Sequence, residues 1–243
     1  MPWRQDTRPY YVLVSELMLQ QTQVDRVIPK FESFIKKFPD EKSLALASLA
    51  DVLKEWQGLG YNRRAKFLQE AAKEIIRLGS FPKDEVGLVA LPGVGKNTAG
   101  AIMAYAYNQP AIFIETNIRA VYIHHFFDDR DDVDDREIRQ LLEQTIDRQY
   151  SRKFYWSLMD YGNYLKKQGV KPNRSLHYKK QAPLKGSVRE VRGQILTLLS
   201  EGEMTLPLLK ARYDGDDRFI PALDGLVRDG LVMVLDGDVY LTK

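Results

Sequence analysis

The chain has 243 residues, 44% of them hydrophobic, a formal net charge of +3, three histidines and no cysteine. That length supports one or two domains with a sizeable core. No apolar run reaches a membrane span and the opening Met-Pro-Trp-Arg-Gln-Asp is not a signal-peptide pattern, so a cytoplasmic protein with no membrane partner is expected. Absence of cysteine excludes disulfides, thiolate zinc sites and cysteine-ligated iron–sulfur clusters, and His124, His125 and His177 are too few and too badly spaced for a metal site.

Apolar periodicity predicts helices over residues 10–37, 44–57, 64–78, 86–91, 97–107, 118–127, 136–149 and 154–168. Pro29, Pro39, Gly58, Gly60, Pro82, Pro92 and Gly93 punctuate them, and no strand pattern precedes residue 186. The first long helix carries Glu16 among Val12, Leu13, Val14, Leu17, Met18 and Leu19. A carboxylate in such a setting is partly desolvated, which raises its pKa and suits a general acid. The plainer reading is a glutamate that caps or pairs inside a core. Gln20 and Gln21 lie one turn on, where their amides could donate to and accept from base edges, or simply occupy an exposed helix face.

The segment Leu91-Pro92-Gly93-Val94-Gly95-Lys96-Asn97-Thr98 separates two apolar helical stretches. Its two glycines are expected to turn the backbone with positive φ and to admit a close ligand. The second helix starts near Lys96 and aims its unpaired N–H groups and positive dipole end at the hairpin, which suits a phosphate. Helix, L-P-G-x-G hairpin, helix is the pattern of a helix-hairpin-helix DNA-binding module; an ordinary glycine turn is the alternative. Glu115 follows the apolar run 111–114 and begins the next helix, where the helix N-terminus favours an ionised carboxylate. One buried acid and one ionised acid make a usable catalytic pair, although a glutamate at a helix start is often no more than that.

The acidic run 128–135 lacks the loop glycine and terminal glutamate of a calcium loop and is expected to cap the helix from about Arg136. Residues 166–185 carry seven basic side chains (Lys166, Lys167, Lys171, Arg174, Lys179, Lys180, Lys185) and no acidic one, with Tyr164 and Tyr178 nearby. Such a stretch attracts a polyanion, unless it is only a solvated linker. From Gly186 onward seven Lys/Arg face ten Asp/Glu, a net of −3 that leaves +6 on the first 185 residues. This tail reads as three helices (188–199, 207–212, 220–229) and a hairpin (231–235, 239–241), a winged-helix unit. Its negative charge argues against its being the main grip on DNA. The expected organisation is 1–168, a basic linker 169–185 and the small α+β tail 186–243.

Pro2-Trp3-Arg4, Pro9-Tyr10, the run from Ser15 to Val24 (S-E-L-M-L-Q-Q-T-Q-V), Gly58-Leu59-Gly60-Tyr61, Ala90-Leu91-Pro92-Gly93-Val94-Gly95 with Thr98-Ala99-Gly100-Ala101-Ile102, and Met159-Asp160-Tyr161-Gly162 occur in that order. Over about residues 2–170 the chain resembles the helix-hairpin-helix base-excision DNA glycosylases, most closely the adenine DNA glycosylase (MutY) branch. The M-L-Q-Q-T-Q-V run is specific to that branch; the hairpin belongs to the whole superfamily.

The resemblance implies a mostly α, two-lobed glycosylase fold acting on double-stranded DNA with a mispaired or damaged base, as a nucleoid-associated monomer. A base must leave the stack before its glycosidic bond can be reached. Glu16 matches the acid that protonates the departing base. Gln20, with Gln21 beside it, matches the residue inserted near the flipped nucleotide, and Tyr61 an aromatic wedge next to the opposing lesion. Gly93, Gly95, Lys96 and Thr98 belong to the phosphate-gripping hairpin, which often holds a monovalent cation on its carbonyls; Lys179 and Lys180 are expected to add phosphate contacts. Glu115 falls where the family has a catalytic aspartate that stabilises the sugar cation.

Four departures accompany the matches. Asn97 stands where bifunctional relatives carry their Schiff-base lysine, so lyase activity is disfavoured. Glu115 is one methylene longer than aspartate. The four iron–sulfur cysteines are absent, the basic stretch lying in their place, and the lesion-reading C-terminal domain is replaced by the acidic tail. The expectation is a monofunctional glycosylase, with adenine opposite oxidised guanine as first choice. The alternatives are a uracil or thymine mismatch glycosylase and a non-catalytic DNA-damage binder.

Overall fold

The computed structural model describes residues 1–127, 130–170, 174–176 and 181–242. The chain divides into two compact units, residues 1–5, 17–81 and 182–243 forming one and residues 6–16 and 82–181 the other. The boundary falls inside helix α2 (Pro9–Leu19), between Glu16 and Leu17.

The first unit holds α1 (Pro2–Gln5), α3 (Val24–Lys37), α4 (Glu41–Leu46), α5 (Leu49–Trp56) and α6 (Arg63–Leu78). Two predicted helices are broken. The stretch 10–37 splits because Gln21 adopts φ 56, in the left-handed region, so Gln20 and Gln21 sit in a connection rather than on a helix face. The stretch 44–57 splits where the Ser48 hydroxyl accepts the Asp51 N–H and starts a new helix. Conversely Pro29, expected to punctuate, lies inside α3. Ala65, Leu68, Ala72 and Ile75 give α6 one buried face. Phe34 meets Phe38 and Trp56 edge-on at 5.0 and 6.0 Å, and Trp3 meets Phe31 at 5.3 Å.

The same unit includes the tail: α12 (Val188–Glu201), β1 (Met204–Thr205), α13 (Leu206–Ala211), α14 (Phe219–Arg228), β2 (Val232–Leu235) and β3 (Asp238–Leu241). The strands form an antiparallel sheet in the order β1-β3-β2, with Val232 opposite Leu241 and Met204 opposite Val239. β1 was not legible: two residues carry no alternation. Val191, Ile195 and Leu199 of α12 and Phe219, Leu223 and Leu226 of α14 are buried with Val239 and Leu241. α12 also packs on α5, Lys66 donates to the Asp229 carbonyl at 3.0 Å, and the Asp229 carboxylate pairs with Arg192 and, at 3.5 Å, with Arg63.

The second unit contains the rest of α2, α7 (Glu85–Val89), α8 (Lys96–Tyr107), α9 (Thr116–Phe126), α10 (Asp135–Thr145) and α11 (Ser151–Lys167). Asp134 caps α10 in a reciprocal capping box with Glu137, as the acidic run suggested. Phe113 lies at the centre, stacked on Tyr155 at 4.2 Å and edge-on to Tyr105 at 5.9 Å. Two glycines allow the close packing that fixes the segment around Glu115. A Cβ on Gly100 of α8 would stand 2.9 Å from the Phe113 Cβ, and one on Gly162 of α11 would stand only 2.4 Å from the Asn117 carbonyl oxygen. Alanine at either position would push α8 or α11 away from the chain that carries Glu115.

Among the described residues no helix is long and apolar enough to cross a membrane.

Candidate active site

Two carboxylates dominate the second unit. Glu16 is the only charged residue of α2 and sits between the fully buried Val14 and Leu17. It retains part of its solvent-accessible surface, yet protein encloses it so deeply that loss of hydration governs its titration. Burial pushes its pKa well above the ordinary glutamate value, and the negative charge of Glu115 pushes it further. Glu115 is the N-cap residue of α9, with φ −111 and ψ 171, but its side chain does not cap the helix. Among the described residues neither carboxylate accepts a hydrogen bond.

Glu115 differs from the ionised acid expected at a helix start. Burial raises its pKa too, and this outweighs the lowering by the nearby Arg119 cation. Arg119 is held by a bidentate pair with Asp135, both hydrogen bonds at 2.7 Å. Glu16 is pushed up by burial and by a like charge, whereas Glu115, also raised by burial, has a cation on its side.

Asn97, the second residue of α8, donates from Nδ2 to the Ile114 carbonyl at 3.0 Å, tying the start of α8 to the residue before Glu115. From the other flank Lys166 of α11 donates to Asn117 Oδ1 at 2.6 Å, and burial lowers its pKa. Lys166 is thus an internal strut and not one of the free cations that the basic stretch suggests. Arg174 is likewise committed, to the Phe127 and Arg130 carbonyls at 3.0 and 2.7 Å. Lys167 and Lys185 are exposed. Lys171, Lys179 and Lys180, with Tyr178, lie outside the described residues.

The hairpin corrects one expectation. Gly93 has φ 77, but Gly95 has φ −89 and ψ 176, extended backbone open to any residue. What Gly95 supplies is room, because no atom lies within 4 Å of where its Cβ would stand. Leu91 and Val94 are buried and anchor the turn, which closes through Val94 N–H to the Leu91 carbonyl at 3.1 Å. No side chain caps α8, whose first residue Lys96 is exposed and whose Thr98 is half-buried. The amide dipoles of that helix start therefore face outward.

In the first unit one residue that sequence reasoning missed organises two loops. Arg64 is buried, 6% exposed. Its Nη1 donates to the carbonyls of Leu17, Met18 and Gln20 at 2.7, 2.9 and 2.6 Å. Its Nη2 donates to Thr22 Oγ1, Leu59 O and Gly60 O at 3.2, 3.2 and 2.8 Å, and its Nε to Tyr61 O at 3.3 Å. Burial lowers its pKa to about 10, so it stays charged near neutrality. The guanidinium thus satisfies the carbonyls at the end of α2 and joins the Gln20–Gln21 connection to the Gly60–Tyr61 turn. Both Gln21 (φ 56) and Tyr61 (φ 47) are in the left-handed region, a conformation that surrounding bonds must hold in place for non-glycine residues. The one legible signal was a second arginine, after Arg63, at the start of an apolar helical face.

Among the described residues no cluster of His, Cys, Asp or Glu could hold a metal ion. Residues 14–148 match the family described as HhH-GPD superfamily base excision DNA repair protein. The adenine DNA glycosylase of Buchnera aphidicola subsp. Baizongia pistaciae is 36% identical over 168 residues, 67% of this chain but 47% of that protein. This chain thus spans about half the length of that relative. The adenine DNA glycosylase of Mycobacterium tuberculosis H37Rv is 33% identical over 264 residues, covering 96% of this chain and 85% of that one. Among solved structures, a thermostable thymine-DNA glycosylase superposes with a TM-score of 0.58 at 25% identity, over 67% of this chain and 77% of that one. The chain belongs to the HhH-GPD superfamily of base excision DNA repair proteins.

Proposed function

We propose that this chain is a monofunctional DNA N-glycosylase that releases adenine mispaired with oxidised guanine in double-stranded DNA. The observation that carries the reading is the pair of enclosed carboxylates Glu16 and Glu115, the charge of Glu115 adding to the burial that raises Glu16, with no hydrogen bond to either among the described residues. Glu16, whose proton affinity burial raises, gives its proton to the departing base as the bond from base nitrogen to C1′ breaks and its electrons leave with the base. Glu115, with Arg119 favouring its ionised form, stabilises the positive charge that develops on the sugar. Water then adds to C1′ and returns a proton to Glu16. Asn97 has an amide where a lyase needs a nucleophilic amine, so strand cleavage is not expected.

The open start of α8 and the Gly93–Gly95 backbone suit a DNA phosphate, and a backbone carbonyl oxygen is of the hard type that a monovalent cation accepts. Gln20, Gln21 and Tyr61, held by Arg64, are the residues for insertion into the duplex. Lys96, Lys179 and Lys180 add charge for the backbone. A monomer with an organisation of 1–168, 169–185 and 186–243, at work on the nucleoid in the cytoplasm, belongs to the same proposal. The similarity to a thymine-DNA glycosylase favours mismatched thymine or uracil as the second reading.

The test is single-turnover incubation with duplexes carrying adenine opposite oxidised guanine, adenine opposite guanine, thymine opposite guanine and uracil opposite guanine, each with and without alkali. Alkali-dependent cleavage at adenine, greatest opposite oxidised guanine, is expected. Cleavage only at thymine or uracil would select the second reading. Binding without base release on any duplex would make the chain a damage binder.

A further inference from the structure

We propose that Arg189, supplied by the tail, is a positioning residue for Tyr61 and makes the tail a determinant of which opposite base is accepted. The inference rests on the reading of Tyr61 as the wedge beside the opposing base. Arg189 is the second residue of α12, whose N-cap is Ser187. Its Nη1 donates to the Tyr61 hydroxyl at 2.6 Å, its guanidinium carbon lies 5.7 Å from the Tyr61 ring centroid, and its Nη2 donates to the Ala182 carbonyl at 2.7 Å. The Arg64 guanidinium lies 5.6 Å from the same ring. Tyr61 is 38% exposed and sits at φ 47, strained for a bulky side chain.

Two cations therefore restrain one strained aromatic ring. Arg64 is buried and bonded to carbonyls along its whole fork, so it fixes the Tyr61 backbone. Arg189 is half-buried and, among the described residues, has no carboxylate partner; it fixes the ring's outer end. The base of α12 is itself fixed, since Arg192 and Lys66 both bond Asp229 at the end of α14. The tail thus reaches the wedge through a braced side chain, although its net charge of −3 gives it little attraction for the DNA backbone. Loss of Arg189 removes the outer restraint, and the ring samples other rotamers before it meets the duplex. That costs pre-organisation where the opposite base is read, while the acid chemistry at Glu16 is unaffected.

The test compares wild type, Arg189→Ala, Arg189→Lys, Tyr61→Phe and the double variant Arg189→Ala/Tyr61→Phe. Adenine release and equilibrium binding are measured on duplexes with oxidised guanine or guanine opposite, with thermal unfolding as a control. Arg189→Ala and Tyr61→Phe should each lower the preference for oxidised guanine about tenfold, the scale of one charge-assisted hydrogen bond, and the double variant should lower it no further. Arg189→Lys should restore part of it, and melting temperatures should change little. If wild type releases no base, the glycosylase reading fails, and the preference is then read from binding alone. Arg189→Ala with the wild-type preference in both rate and binding, or additive losses in the double variant, would overturn the assignment.

Discussion

Arg64 and Glu16 are both ionisable side chains carried into the protein interior, and the protein treats them in opposite ways. Around Arg64 every donor finds a carbonyl or hydroxyl oxygen, none of them from a carboxylate. The charge is solvated by backbone and becomes a rigid clamp. Around Glu16 apolar side chains crowd in, the other carboxylate adds repulsion, and no hydrogen bond among the described residues offsets the lost hydration. A satisfied buried charge provides position; an unsatisfied one stores a perturbed proton affinity, which is what acid catalysis uses.

That contrast breaks first at the acids. Glu16→Gln keeps the shape but has no proton to give, so base release should fall by about 10²–10⁴-fold while duplex affinity stays within a few-fold. An unchanged single-turnover rate would remove Glu16 from the chemistry. Glu115→Gln should cost about 10²–10³-fold, as for loss of an electrostatic stabiliser, whereas Glu115→Asp should retain or improve activity. Wild-type rates in both variants would leave Glu115 as a helix-start residue only.

The clamp breaks differently. Arg64→Met strands several buried carbonyls, and denaturant unfolding should show a loss of about 3 kcal/mol or more, since each unsatisfied buried group costs about 1–3 kcal/mol. A loss below about 1 kcal/mol would mean that water replaces the guanidinium without penalty. The smallest effect concerns charge alone. Replacing Lys179, Lys180 and Lys185 with alanine should weaken duplex binding and flatten the salt dependence, by up to about 0.9 in slope for each phosphate no longer neutralised. Truncation after Lys185 should leave the overall salt slope near normal, because the tail's contribution is to selectivity and not to grip. The opposite pattern would make the tail the main DNA-binding element.

The same contrast explains what was legible in the sequence. The apolar spacing of Leu68, Ala72 and Ile75 announces a helix face, and Leu91-Pro92-Gly93 announces a turn, because both signals are local. The break at Gln21 was invisible: apolar residues recur on both sides of it, and the carbonyls at the end of α2 are bonded by the side chain of Arg64, more than forty positions away. The apolar neighbours of Glu16 announced its burial and raised pKa, whereas the helix start at Glu115 suggested an ionised acid and hid the burial that raises it. The Arg189–Tyr61 hydrogen bond joins segments with no shared pattern, and only the fold brings them together.

Burial raises the proton affinity of Glu16 in the folded protein. A carboxyl whose folded pKa is raised above its unfolded one contributes stability that is fully present below the unfolded value and is lost as pH rises through the folded value. Glu16→Gln mimics the protonated form at every pH. Thermal unfolding of wild type and Glu16→Gln across pH 4 to 9 is the direct measurement. The two should be nearly equally stable at the acid end, and the variant should gain progressively over wild type as pH rises above the ordinary glutamate range. A stability difference that stays constant with pH would contradict the account, because Glu16 would then titrate alike in the folded and unfolded chains.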